Sequence, residues 1–343
     1  MADGKTGDME SAAKVREYHG VDARRFREEV MAASAPAILR GVAADWPAVR
    51  AGATAQGIAD YLKERDTGAG FDMLAGQPAI KGRFFYNADM TGLNFERRPA
   101  TVSSIADALL GAAALAEPPT FAAQAIEARA SVPAFVDENP LDLIGKPVSP
   151  RLWIGNRVIV SAHHDMFSNI AVVVAGRRRF TLFPPDQVAN LHIGPFEFTP
   201  AGTPVSLIDF DNPDFDRFPG FDRALEIAQI ADLEPGDAIY IPYMWWHHVR
   251  SRDDFNMLAN YWWNDAKPAQ PGLQPVDALV HAFLAFSGLP EEQREAWAPM
   301  FAYMIFNKDA ASHMPPDRSG IRGQLSDETK RHIRQEMGAL MAR

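Results

Sequence analysis

Cysteine is absent from the 343 residues. That excludes disulfides and thiolate chemistry, fits a reducing compartment, and leaves His, Asp and Glu as the side chains able to hold a metal. Long apolar runs are missing too. The longest are short and carry Gly or charge, so none reads as a bilayer span. The first residues, 1–11, are polar and acidic with no apolar run behind a basic start, which does not read as a signal peptide. A cytoplasmic location is the expectation. Positive charge is in deficit, with 34 Lys and Arg against 44 Asp and Glu and a formal net charge of −10. This balance argues against broad binding to nucleic acid or anionic membrane, whose phosphates would be repelled. We find no internal repeat and no low-complexity tract.

What is present suits a folded chain. Apolar residues make up 47% and charged residues 23%, enough apolar material for a sizeable core. The length allows one large domain with appendages or two modest domains. Residues 1–20 read as a flexible N-terminus. Phe26 to Ala33, Gln56 to Glu64 and Ser103 to Leu110 show helical spacing, and Pro36 to Gly41 reads as a strand. From about Phe121 to Trp263 the chain favours strands. Arg151 to Gly155, Asn169 to Val174, Arg178 to Phe183 and Ala238 to Pro242 are rich in β-branched or aromatic residues and bounded by turn residues. Ala175-Gly176 and Pro235-Gly236 suit turns. After Pro275 the texture is helical, with Leu279, Phe283 and Phe286, then Trp297, Phe301 and Met304, at helical spacing. Ser326 begins a helix expected to reach Met341.

Of nine histidines, four lie in two adjacent pairs. One is in Ser161-Ala-His163-His164-Asp165, the other in Trp246-His247-His248-Val249, and both end expected strands. Successive strand residues alternate faces, so His163 and Asp165 point one way and His164 the other. An imidazole and a carboxylate two residues apart suit one metal. A distant histidine would complete two nitrogens and one oxygen on one face of the ion, the facial triad of non-haem Fe(II) oxygenases. Such a triad leaves vacant positions, two for a chelating 2-oxo acid and one for oxygen. A lone H-x-D also arises by chance, and a histidine beside tryptophans is often a packed core residue.

The run His163-His-Asp165, Asn169, then Gly176-Arg-Arg-Arg-Phe-Thr-Leu-Phe-Pro-Pro185 resembles the JmjC-type, cupin-like hydroxylase family. So do Gly236-Asp-Ala-Ile-Tyr-Ile-Pro-Tyr-Met-Trp-Trp-His-His-Val249 and Asn260-Tyr-Trp262. The stretch from Asp209 to Pro219 is similar to a segment of a family member, the asparaginyl hydroxylase that inhibits hypoxia-inducible factor. The resemblance covers roughly residues 30–310 and is densest from 150 to 263. It implies a double-stranded β-helix, a jelly-roll core with mixed α/β elements before it and a helical tail after it. It implies a catalytic domain over 21–270 and a helical dimerisation region over 271–343. Carried over by position, it makes His163, Asp165 and His247 the iron ligands, His247 rather than His248 because the family ligand directly follows the tryptophan. Asn169 and Asn260 match positions that contact 2-oxoglutarate or its surroundings.

Two departures bear on the cosubstrate. The family usually has lysine where this chain has Arg178. A tyrosine and a threonine that reach the cosubstrate in the similar hydroxylase are matched by Phe121 and Val160. Strand alternation places Arg178 on the face of Phe180 and Leu182, looking inward, with Arg177 and Arg179 outward. A cation directed inward needs an anion, and a bound dicarboxylate is the one expected. The four tryptophans 245, 246, 262 and 263 read as packing around the site. The acidic, aromatic stretch 209–221 reads either as a substrate entrance or as a structured connection.

The reading is an Fe(II)- and 2-oxoglutarate-dependent oxygenase that hydroxylates an unactivated carbon, with a protein or peptide side chain as substrate. The alternatives are a small-molecule oxygenase and an inert cupin-like module that holds a metal or a dicarboxylate. The tail, apolar on more than a narrow stripe, is expected to form a homodimer.

Overall fold

A computed structural model describes residues 12–266, 274–307, 309–315, 318–323 and 326–341. The chain divides into two compact units, Met1–Asn264 and Asp265–Arg343. The first is built on two sheets. The smaller has the order β1-β11-β10-β13-β8, formed by β1 (Ala13–Lys14), β8 (Ile159–His163), β10 (Arg178–Phe183), β11 (Gln229–Leu233) and β13 (Trp246–Ser251). The larger has the order β2-β3-β12-β9-β14-β7-β6-β4-β5. Its strands are β2 (Arg16–His19), β3 (Ala37–Arg40), β4 (Phe71–Gly76), β5 (Phe95–Ala100), β6 (Thr120–Glu127), β7 (Arg151–Gly155), β9 (Ser168–Ala175), β12 (Ala238–Ile241) and β14 (Asn256–Trp263). Most ladders are antiparallel, as a jelly roll requires.

The β9 side chains show how the layers arise. Ile170, Val172 and Val174 point to one face and join the core under the helices Ala55–Arg65 and Val102–Ala113. Ala171 and Val173 point to the other face and meet Phe180, Leu182 and Val249 between the sheets. Burying a side chain of this size stabilises by roughly 1.5–3 kcal/mol. Both faces of β9 are covered, so the strand is apolar almost throughout instead of alternating. Asn169 shares the inner parity of Ala171 and Val173 and therefore looks between the sheets.

Two turns fix the register of this inner face. Gly176 closes the β9–β10 hairpin at φ +69, and a Cβ there would lie 2.4 Å from Asn256 Oδ1 and 2.6 Å from the Phe255 carbonyl. Gly236 turns into β12 at φ +93. Next to it the Asp237 carboxylate accepts from the Gly41 and Glu234 amides and from Arg40 Nη1, which ties the turn to β3.

Several elements differ from the sequence reading. Residues 12–20, expected to be loosely ordered, contain β1 and β2, which pair in parallel with β11 and β3. Residues 1–11 lie outside the described residues. Strands β4 and β5 widen the larger sheet where no strand was read, because neither shows a clean apolar alternation. Of the two readings of the stretch 209–221, its packing agrees with a structured connection. Phe210, Phe218 and Phe221 pack with Phe183 and Trp246 on the outer face of the smaller sheet, and Asp211 pairs with Arg250.

The second unit carries the helices Pro275–Phe286, Glu291–Phe301 and Asp327–Met341. Phe286 sets its ring edge-on to Trp297 and Phe301, at 5.6 and 5.7 Å. No helix among the described residues is long and apolar enough to cross a membrane.

Two glycines test this account in opposite directions. Gly176→Ala should lose at least about 1–2 kcal/mol, because alanine is strained at positive φ and its Cβ strikes backbone. Gly111→Ala, inside the helix Val102–Ala113 with nothing within 4 Å, should gain roughly 0.5–1 kcal/mol. Urea denaturation of both variants measures each.

Candidate metal centre

The smaller sheet brings the two histidine pairs together. β13 runs between β10 and β8, with His247 opposite Leu182 on one side and His163 on the other. The β8–β13 register breaks after this pair. Val249 faces Val160, so Ser161 and Ala162 together oppose His248. This bulge keeps both Val160 and His163 on the inner face, which plain alternation would not.

His163, Asp165 and His247 bring one ligand atom each within 4.8 Å of one another. His247 Nε2 lies 3.7 Å from Asp165 Oδ2, and the two imidazole centroids are 4.3 Å apart. Each imidazole is oriented in the same way. His163 Nδ1 is 3.0 Å from the Ser161 carbonyl and His247 Nδ1 is 3.0 Å from the Trp245 carbonyl. Nδ1–H donation to these carbonyls leaves both Nε2 lone pairs free for a metal, a tautomer lock common around metal-binding histidines. The Asp165 carbonyl accepts from the Met244 amide at 3.1 Å, and Met244 holds φ +66. Thus the turn that leads into β13 also anchors the loop that carries the carboxylate. Burial pushes His247 down to about 4, the neighbouring His163 adding to the fall, so the imidazole is neutral and ready to bind a metal at neutral pH.

His164 and His248 are not part of this group. His164 turns away and sets its ring edge-on to Trp246 at 4.7 Å. His248 stacks on Phe210 at 4.5 Å, on the outer face.

A cavity of about 140 Å³ opens beside the triad, and its lining includes Asn169, Arg178, Asn260 and Trp262. Arg178 is 6% exposed and makes no ion pair among the described residues. Its Nη2 reaches the Trp153 carbonyl at 3.5 Å and its Nε has no partner. Burial alone lowers its pKa to about 10, so it remains charged at neutral pH. Its neighbours face outward, Arg177 to Asp253 and Arg179 to Asp232. Asn169 Oδ1, Asn260 Oδ1 and Trp262 Nε1 are likewise buried without a partner. Buried polar atoms are normally bonded, and four orphans lining one cavity describe a place for a polar ligand.

The sequence reading placed Phe121 at the cosubstrate. The structure corrects this. Phe121 and Ala123 turn to the helix-covered face and pack in its core, and the residue of β6 that lines the cavity with a polar group is Gln124. Val160 does line it. Of the tryptophans, Trp246 and Trp263 are buried in packing, whereas Trp262 lines the cavity and stacks on exposed Phe167 at 5.8 Å. The sequence reading missed that role, although Trp262 shares the strand parity of Asn260.

Residues 23–268 match the model of the cupin-like domain family. Among curated proteins, the chain is 30% identical over 159 residues to the tRNA wybutosine-synthesizing protein 5 of Gallus gallus, covering 43% of this chain and 47% of that protein. It is 30% identical over 132 residues to the lysine-specific demethylase JMJ31 of Arabidopsis thaliana, 38% of this chain and 22% of that one. It is 34% identical over 115 residues to the HSPB1-associated protein 1 homolog of Danio rerio, 32% of this chain and 24% of that one. The matches thus span about half the length of these relatives or less.

The geometry separates the four histidines experimentally. His247→Ala and His163→Ala should bind far less than one equivalent of Fe(II) by metal analysis after desalting. His164→Ala and His248→Ala should retain one equivalent, even where stability falls. Iron lost from His248→Ala and kept by His247→Ala would show the register to be wrong.

Proposed function

The chain belongs to the cupin-like, JmjC-type domain family, and from that premise we propose that it is an Fe(II)- and 2-oxoglutarate-dependent oxygenase. One observation carries the reading: a buried, unpaired guanidinium, Arg178, projects into the same cavity as a His–Asp–His group. Isolated cations are costly in protein interiors unless an anion accompanies them. A dicarboxylate that chelates a metal at one end and meets Arg178 at the other satisfies both features at once.

The residues fit iron and a 2-oxo acid. Two imidazoles and a carboxylate on one side suit Fe(II) and leave its other side toward the cavity. Iron and 2-oxoglutarate held there would supply the oxidising power of dioxygen, with succinate and carbon dioxide as by-products. The protein's own part is to hold, orient and exclude water. His163 and His247 are held by backbone carbonyls. Phe180, Val249 and Leu258 make the cavity floor apolar. Asn169 and Asn260 offer carboxamides to the cosubstrate.

We assign a protein or peptide side chain as the primary substrate, hydroxylated at an unactivated carbon. The net charge of −10 supports this over a polyphosphate partner. We further assign the unit 265–343 to two-fold dimerisation. Leu279, Phe283, Leu284, Ile305 and Phe306 are all exposed on it, and large apolar side chains left in water favour burial between copies.

Arg178→Ala should raise the 2-oxoglutarate concentration needed for half-maximal succinate release by about ten- to a hundredfold. Charge-assisted hydrogen bonds of this kind contribute roughly 1.5–3 kcal/mol. Iron content should not change, and Arg177→Ala and Arg179→Ala should leave the requirement unaltered. Equal effects from all three would remove Arg178 from the cosubstrate site. For the assembly, light scattering at micromolar concentration should give twice the chain mass, and Leu284→Glu with Phe306→Glu should halve it. A wild-type chain of monomer mass would contradict the dimer.

A further inference from the structure

Strand β6 carries a bulge in the cavity wall. Ala122 and Ala123 pair with Gly155 and Ile154 of β7, then Ile126 and Glu127 pair with Leu152 and Arg151. Gln124 and Ala125 therefore oppose the single residue Trp153, and both line the cavity. Ala125 holds φ +55 to make the bulge, an unfavourable conformation for a residue with a Cβ. Bulges beside functional sites serve to re-aim a side chain, and strain of this kind gathers at ligand sites. The Gln124 carboxamide makes no hydrogen bond among the described residues.

The position of Gln124 along the strands identifies what it meets. Trp153 pairs with Leu258, two residues from Asn260 and four from Trp262. Gln124 also lines a small adjoining recess together with Val160, and Val160 precedes His163 by three residues, roughly 10 Å along a strand. Gln124 thus stands a layer away from the metal ligands, beside the end of the cavity where Arg178 lies. Arg178 Nη2 reaches the carbonyl of Trp153, the residue opposite the bulge. Val160, Phe180, Val249 and Leu258, which share this layer of the lining, have no side-chain donor.

We infer that Gln124 is a cosubstrate-positioning residue, its carboxamide N–H donating to the distal carboxylate of 2-oxoglutarate beside Arg178. The inference rests on the proposed oxygenase reading. One guanidinium already matches the charge of that carboxylate, so a neutral donor completes its bonding without leaving a second buried cation unpaired. Alternation with Ala122 turns the carboxamide to this face, and the bulge adds Ala125 to the wall beside it.

The test is calorimetric titration of the Fe(II)-loaded full chain without oxygen. The probes are 2-oxoglutarate and pyruvate, a 2-oxo acid with no distal carboxylate. Gln124→Leu should raise the Kd for 2-oxoglutarate about tenfold and leave the weaker binding of pyruvate unchanged. Gln124→Glu, which sets a carboxylate against a carboxylate, should raise it further, with iron content equal to wild type in both. Unchanged 2-oxoglutarate affinity in Gln124→Leu overturns the inference. So does equal weakening toward both acids, which marks a merely structural role. If the wild-type chain holds iron and binds neither acid, the oxygenase reading itself fails, and the inference with it.

Discussion

The site depends on one cross-strand register, His247 of β13 against His163 of β8. A strand presents alternate residues to alternate faces, so a slip by one would send His248 into the cavity and His247 out against Phe210. The register is held from both sides. On the inner face Val249 packs with Phe180 and Leu182, and on the outer face Trp246 packs with Phe183 and Ala162. The bulge at Ser161 and Ala162 absorbs the extra residue that lets Val160 and His163 look the same way. The Met244 amide then donates to the Asp165 carbonyl, so the placement of the carboxylate depends on the turn that leads into the strand of His247.

The cavity beside the triad is expensive to maintain without a ligand. A guanidinium sits in it without an anion, and three further polar atoms lack partners. Every other arginine near it on the smaller sheet has a carboxylate: Arg177, Arg179 and Arg250 meet Asp253, Asp232 and Asp211. The contrast is between cations that stabilise the fold and one that waits for something outside it. Loss of a partner for buried polar groups costs more than forming the pair gains. A bound dicarboxylate should therefore stabilise the folded chain as well as equip it for chemistry.

Much of this is legible in the sequence. The parity of Arg178 with Phe180 and Leu182 follows from a two-residue period and holds in the structure, whereas Asp165 joins His163 from the loop after β8 and not by strand parity. The choice of His247 over His248 comes from the resemblance, and it is His247 that the structure groups with His163 and Asp165. Bulges were not legible. A one-residue insertion into a ladder leaves no mark in composition, so the bulges at residues 161–162 and 124–125 do not show in the sequence, and the resemblance matches Phe121 to the cosubstrate although the parity of β6 turns it away from the cavity. The short strands at 13–19 escaped for a related reason: they gain stability by pairing with distant partners, β11 and β3, and not from local pattern.

The central claim is that one metal site and one 2-oxo acid site share this cavity. Anaerobic titration of the Fe(II)-loaded chain with 2-oxoglutarate, followed by visible absorption, tests it most directly. Chelation of ferrous iron by the 2-oxo acid should produce a metal-to-ligand charge-transfer band that saturates at one equivalent. Stoichiometric iron with no such band at saturating 2-oxoglutarate would contradict the account, because the open side of the triad would then not be where the 2-oxo acid binds.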